Sequence, residues 1–172
     1  MDRRHFLQTA AVATATASLG SASSADAKSG HFDALAVVRE MILAWRRQDL
    51  EAMLTHVADD IVWHTHVGSP PVVGKQAMHD FAAKLGASMH DIKWRIFEAA
   101  QHGDRIHLEG VDDFVTADGR RVTIPYAGIM AFRDGKVVEW RDYFDRATFD
   151  RLKAGEAMPD YLAALANRKP LF

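Results

Sequence analysis

The chain has 172 residues, 48% of them hydrophobic, and a formal net charge of -2. That is the size of one domain with a substantial core, and no basic patch or charge run points to nucleic acid or an anionic membrane. The absence of cysteine excludes disulfides, thiolate metal sites and a nucleophilic thiol.

The N-terminus reads as an export signal. Arg3-Arg4 precede Phe6-Leu7 as in twin-arginine signals, an Ala-rich run covers Thr9 to Leu19, and Ala25-Asp26-Ala27 has the form of a cleavage site. The run is shorter than the about 20 apolar residues of a membrane span, so no stable membrane anchor is expected. The pattern predicts a signal over residues 1–27, one domain over residues 28–172, and a periplasmic or secreted protein.

Helical spacing of Phe32, Leu35, Val38, Met41, Ile42 and Trp45 predicts a first helix, and Asp49 can cap a short second one. Ala58-Asp59-Asp60 is turn-like. Ile61 to Val67 alternates as a strand, with Ile61, Trp63, Thr65 and Val67 on one face and Val62, His64 and His66 on the other. A third helix is predicted from Lys75 to about Met89. Strands are then expected over Ile92–Ala100, Arg105–Thr116, Arg121–Arg133 and Val137–Phe144, with Asp118-Gly119 and Asp134-Gly135 at hairpin turns. Two short helical patterns end the chain, the second started by Pro159. Helices followed by an antiparallel meander make this α+β, with a curved sheet wrapped over helices as a cone.

Two carboxylates stand out. Asp142 alternates with Val138, Trp140 and Phe144, and Asp112 with Leu108, Gly110 and Phe114. A carboxylate on an apolar face must be desolvated, paired or used. With Ile124 and Tyr126 from the neighbouring strand and His64 and His66 from the first, these faces compose an apolar-walled site with few polar groups. Asp113 and Asp145 have the ordinary reading of caps or turn ligands. His64, His66 and Asp142 would also suit a two-His-one-carboxylate metal set, but no further pattern supports one, so neither metal nor cofactor is expected. Trp63, Trp94, Ile129 and Val137 leave apolar residues for the outside of the cone, which predicts a homodimer.

Gly135-Lys136-Val137-Val138-Glu139-Trp140-Arg141-Asp142-Tyr143-Phe144-Asp145 is the most specific segment, beside Pro70-Pro71-Val72-Val73-Gly74, Leu108 to Asp112, and Ile124-Pro125 through Gly128. With these segments the chain resembles, from about Val38 to Phe149, the limonene epoxide hydrolase family. That family lies within the SnoaL-like, ketosteroid-isomerase-like (nuclear transport factor two-like) cone fold. The resemblance implies that Asp142 activates a water and Asp112 protonates an epoxide oxygen. His64 and His66 fall where the family has water-holding side chains. Leu108, Phe114, Ile124, Tyr126, Trp140 and Phe144 would line the pocket of a small apolar molecule. One departure is plain: Gly110 stands where the family has an arginine between its carboxylates. The expected function is cofactor-independent hydration of an epoxide. The alternatives are a SnoaL-like isomerase, cyclase or dehydratase, or a non-catalytic binding protein.

Overall fold

The computed structural model describes residues 32–172, so the signal over residues 1–27 lies outside the described residues. Helix α1 (Ala34–Arg46) starts where the Asp33 carboxylate accepts the Ala36 N–H, and Asp49 caps α2 (Leu50–Leu54) through Ala52 in the same way. Of the predicted stripe, Val38, Met41 and Ile42 are wholly buried, while Phe32, Leu35 and Trp45 are half-buried. Helix α3 (Lys75–Ala87) buries Met78 and Ala82.

The strands are β1 (Val57–His64), β2 (Val72–Val73), β3 (Met89–His90), β4 (Arg95–His102), β5 (Arg105–Thr116), β6 (Arg121–Arg133) and β7 (Lys136–Tyr143). They form one seven-stranded sheet ordered β2-β1-β7-β6-β5-β3, with β4 also paired to β5. The meander from β4 to β7 is antiparallel, and β1 lies parallel to β7, which makes the sheet mixed. Asp134 and Gly135 take φ values of 53° and 77°, the positive pair a tight hairpin needs. Helices α4 (Arg146–Lys153) and α5 (Asp160–Ala166) follow. Asp145 caps α4 through the Ala147 and Thr148 N–H groups, as its ordinary reading expects, and Pro159 immediately precedes α5.

Three local expectations are corrected. Ala58-Asp59-Asp60 is strand rather than turn, and its exposed carboxylates pair with neighbouring elements, Asp59 with Lys75 at 3.0 Å and Asp60 with Arg133 at 2.6 Å. Strand β1 ends at His64, not Val67. A register irregularity beside Val138 (Ala131 faces Glu139, Phe132 faces Val137) turns Val137 inward and leaves Val138 half-buried, the reverse of simple alternation.

Trp63, Trp94 and Val137, on which the dimer expectation rested, all lie in the main core under α1, and Ile129 is half-buried. A second cluster, Met89, Ile92, Phe114, Val122, Ile124, Leu152 and Leu162, gathers toward α4 and α5. The candidate site lies where the two clusters meet.

Candidate active site

Beyond its irregularity β7 alternates regularly, so Trp140 and Asp142 both point inward and Asp142 is only 7% exposed. Trp63 is the register partner of Trp140 on the parallel β1, and their rings stack at 5.2 Å. That pairing delivers both indoles to one carboxylate. Trp63 Nε1 donates to Asp142 Oδ2 at 2.9 Å and Trp140 Nε1 to Oδ1 at 2.5 Å. Trp94 also stacks on Trp140, with ring centroids 5.4 Å apart and planes nearly parallel. An indole N–H can only donate, so this pair favours the ionised form of Asp142.

Asp112 comes from β5 and is partly accessible, from the cavity that it lines. Between the two carboxyls, on β6, stands Tyr126. Its ring folds back over Gly128, the register partner of Asp142, where an added Cβ would lie 1.9 Å from the phenol oxygen. Only glycine leaves that space. The Tyr126 hydroxyl and Trp94 Nε1 are buried without a hydrogen-bond partner of acceptable geometry in the protein. Burial, with the nearby charges of Asp142 and Asp112, holds the Tyr126 phenol well above its usual range, so it remains a donor.

Burial pushes Asp112 up to about 7. Asp142 is pushed up to about 8, by burial first and by the Asp112 charge, against the opposing pull of the Trp63 and Trp140 donors. Because each charge raises the cost of the other, these are steps of a pair that shares one proton near neutral pH. In the singly ionised pair the proton belongs on Asp112. Asp142 has two indoles aimed at its anion, and among the described residues Asp112 has no donor.

The cavity enclosed around this pair measures about 270 Å³. Of the residues expected to form it, Asp142, Asp112, His66, Phe114, Ile124, Tyr126, Trp140 and Phe144 do line it. Two do not. Leu108 is packed into the main core, and His64 does not line the cavity, being half-buried beside Arg141 of β7 while Trp63 points in. His66 reaches the cavity because the strand has ended. The chain bends at Thr65-His66, Val67 N–H bonds the Asp142 carbonyl at 3.0 Å, and the imidazole meets the Phe144 ring edge-on at 4.9 Å.

Strand β1 and the bend after it therefore offer Trp63, Thr65 and His66 to the cavity, but not His64. The signal was present in the sequence: Ile61, Trp63 and Thr65 form the more apolar face of that strand. Sequence alone gave no sign that α4 would bring Arg146, Phe149 and Lys153 to the mouth.

Neither histidine replaces the missing arginine, since among the described residues none bonds to either carboxyl. Gly110 cannot host that arginine, because an added Cβ would lie 2.0 Å from the Arg95 carbonyl oxygen of β4. Also among the described residues, no three His, Asp or Glu side chains gather as metal ligands.

Solved structures share this fold. An NTF2-like protein of unknown function from Burkholderia pseudomallei matches with a TM-score of 0.63 and 25% identity, over 69% of this chain and 95% of that one. An LEH-like epoxide hydrolase from M. tuberculosis matches with a TM-score of 0.61 and 21% identity, over 69% and 87%. A protein of ketosteroid isomerase-like fold from Catenulispora acidiphila, in complex with trimethylamine, matches with a TM-score of 0.61 and 18% identity, over 72% and 97%. Residues 1–20 match the twin-arginine translocation pathway signal sequence, so the chain is exported by that route to the periplasm or beyond. Residues 38–140, more than half of the chain, match the SnoaL-like domain, and the protein belongs to that family of cone-shaped α+β folds.

Proposed function

We propose that the protein is a cofactor-independent enzyme that adds water to an epoxide of a small apolar substrate. The observation that carries this is the pair Asp142 and Asp112 facing one apolar cavity, Asp142 held by two indole donors and Asp112 by none among the described residues, with burial raising both carboxyls. Ionised Asp142 takes a proton from water as the water oxygen attacks a ring carbon. Protonated Asp112 gives its proton to the ring oxygen as that carbon–oxygen bond breaks. The product is a diol, and passage of the proton from Asp142 to Asp112 restores the pair. Thr65 and His66, just after the first strand, are among the cavity's polar groups that can hold the attacking water. Trp63 and Trp140 keep the base ionised and fixed in direction. The LEH-like epoxide hydrolase of this fold supports the reading as an analogy.

A second reading draws on the unpartnered Tyr126 hydroxyl. A neutral phenol beside a buried base suits stabilisation of an enolate oxygen, so the same constellation could move a carbon-bound proton as isomerases do. An epoxide panel in oxygen-labelled water separates the two. Label in a diol supports hydration, and exchange of a carbon-bound proton without diol replaces it with the isomerase reading. The rate of hydration should follow a bell between limbs near 7 and 8. Below it both carboxyls hold protons and no base is left; above it both are ionised and no acid is left. A flat profile from pH 6 to about 9 would remove the two-carboxyl mechanism.

A further inference from the structure

We infer that the substrate is an apolar acid, its carboxylate held by Lys153 at the mouth while its hydrocarbon end reaches the Asp112–Asp142 floor; this rests on the two-carboxyl reading above. The charges of the cavity are segregated by depth. Among the described residues its only carboxylates, Asp112 and Asp142, belong to the sheet that forms the floor, whereas its cations, Arg146 and Lys153, belong to α4. Both cations lie over the ring of Phe149, with the Arg146 guanidinium carbon 5.7 Å and the Lys153 ammonium 5.2 Å from its centre. The two are not equivalent. Arg146 is neutralised by Asp150 at 2.9 Å, and neighbouring Arg120 by Asp118 at 3.2 Å. Among the described residues no carboxylate lies within ion-pair distance of Lys153.

Lys153 also occupies a junction. A second cavity of about 320 Å³ adjoins the first and shares Leu85, Met89, Phe114, Phe149 and Lys153 with it. Asp118 lies on that second cavity, already accepting from the Thr116 hydroxyl and paired with Arg120. A ligand along this cleft thus meets apolar and aromatic walls with one uncompensated cation part-way along them. An acid entering head-first would bring its charge against Asp112 and Asp142. Entering tail-first, it places that charge on Lys153 and leaves the reacting carbons at the floor. The lysine therefore selects for an acid and sets its direction. A neutral substrate of equal size would gain neither effect.

The test reads binding without turnover, so its outcome is independent of whether diol forms. Octanoate and the neutral octanamide are titrated into the full chain at low salt and followed by indole fluorescence, since Trp63, Trp94 and Trp140 line the cavity. Octanoate should bind about 2–5-fold more tightly than octanamide, the scale of one solvent-accessible ion pair. Lys153→Ala should erase that preference, Lys153→Arg should keep it, and Asp142→Asn should leave it in place. Equal or tighter binding of octanamide, no binding of octanoate, or a preference that survives Lys153→Ala would each overturn the inference. A failed epoxide assay alongside the expected binding pattern would remove the hydration reading and leave an anion-selective cavity standing.

Discussion

The two surfaces of β5 treat a buried carboxyl in opposite ways. Asp113 is 2% exposed and enclosed by partners: Arg121 Nη1 at 2.5 Å, Arg95 Nη2 at 3.4 Å and the Thr123 hydroxyl at 3.2 Å. Arg121 reaches on to Asp91, and Arg95 donates to the Ala166 carbonyl, so this network ties α5 and the loop before β4 to the sheet. Asp112, one residue earlier, faces the cavity with no cation and no donor. Satisfied charge makes Asp113 part of the framework; unsatisfied charge makes Asp112 available to a proton. A carboxyl closed off by two guanidinium groups has nothing left to offer a substrate, whereas one that faces a cavity does.

Substitutions can break or sharpen that contrast. The largest effect is expected at Asp142. Asp142→Asn keeps the shape and removes the base, so turnover in the epoxide assay should fall about 10³-fold or more with the fold retained by circular dichroism. Asp113→Asn should do the reverse. It leaves Arg95 and Arg121 without their shared anion, costing roughly 2–4 kcal/mol in denaturant unfolding, while turnover per folded molecule stays within about twofold. A smaller effect separates Asp112 from its neighbour by pH. The folded value of Asp112 lies above its unfolded one, so its contribution to stability is complete below about 4 and is lost as pH rises through the range, about 7 to about 8, in which the pair titrates. Asp112→Asn should therefore be more stable than the parent chain at pH about 9, by roughly 1–3 kcal/mol, and should lose nearly all hydration activity. Trp63→Phe removes one donor to the Asp142 anion. A rate loss of about tenfold is expected, with the lower limb of the pH profile moving upward because the anion is less favoured. The smallest effect is expected at His64, where replacement by Phe should leave turnover within about twofold; a loss comparable to that of Asp142→Asn would place the imidazole in the chemistry despite its direction.

Periodicity was enough for β5 and β6, whose limits match the expected strands residue for residue, because long alternating runs between turn dipeptides leave one register. It also placed Asp112 and Asp142 on the inner face. It failed where the count shifts by one. The early end of β1 at His64 depends on pairing with a strand distant in sequence, and the irregularity at Val138 on the cross-strand register of its own hairpin with β6; the pattern of a single strand contains neither. The indole bonds to Asp142 were hidden for the same reason, since Trp63 meets Trp140 only through the parallel β1–β7 pairing. Gly110 was read as the place of a missing cation but not as a packing site, where the Arg95 carbonyl leaves no room for a side chain.

The parallel β1–β7 contact also governs when this chain can become a protein. Strand β1 is complete in sequence by His64, yet its main partner arrives only with Lys136 to Tyr143. Such distant pairing is slow to form, and a ribosome must finish the last hairpin before the first strand has a place to dock. An export route that carries folded proteins suits this order, because the chain can close in the cytoplasm at its own pace. A chain truncated after Gly135 would present an unpaired β1 edge and no floor for the cavity. Its retention in the cytoplasm, while the full chain reaches the periplasm, would mark strand β7 as the step on which export waits.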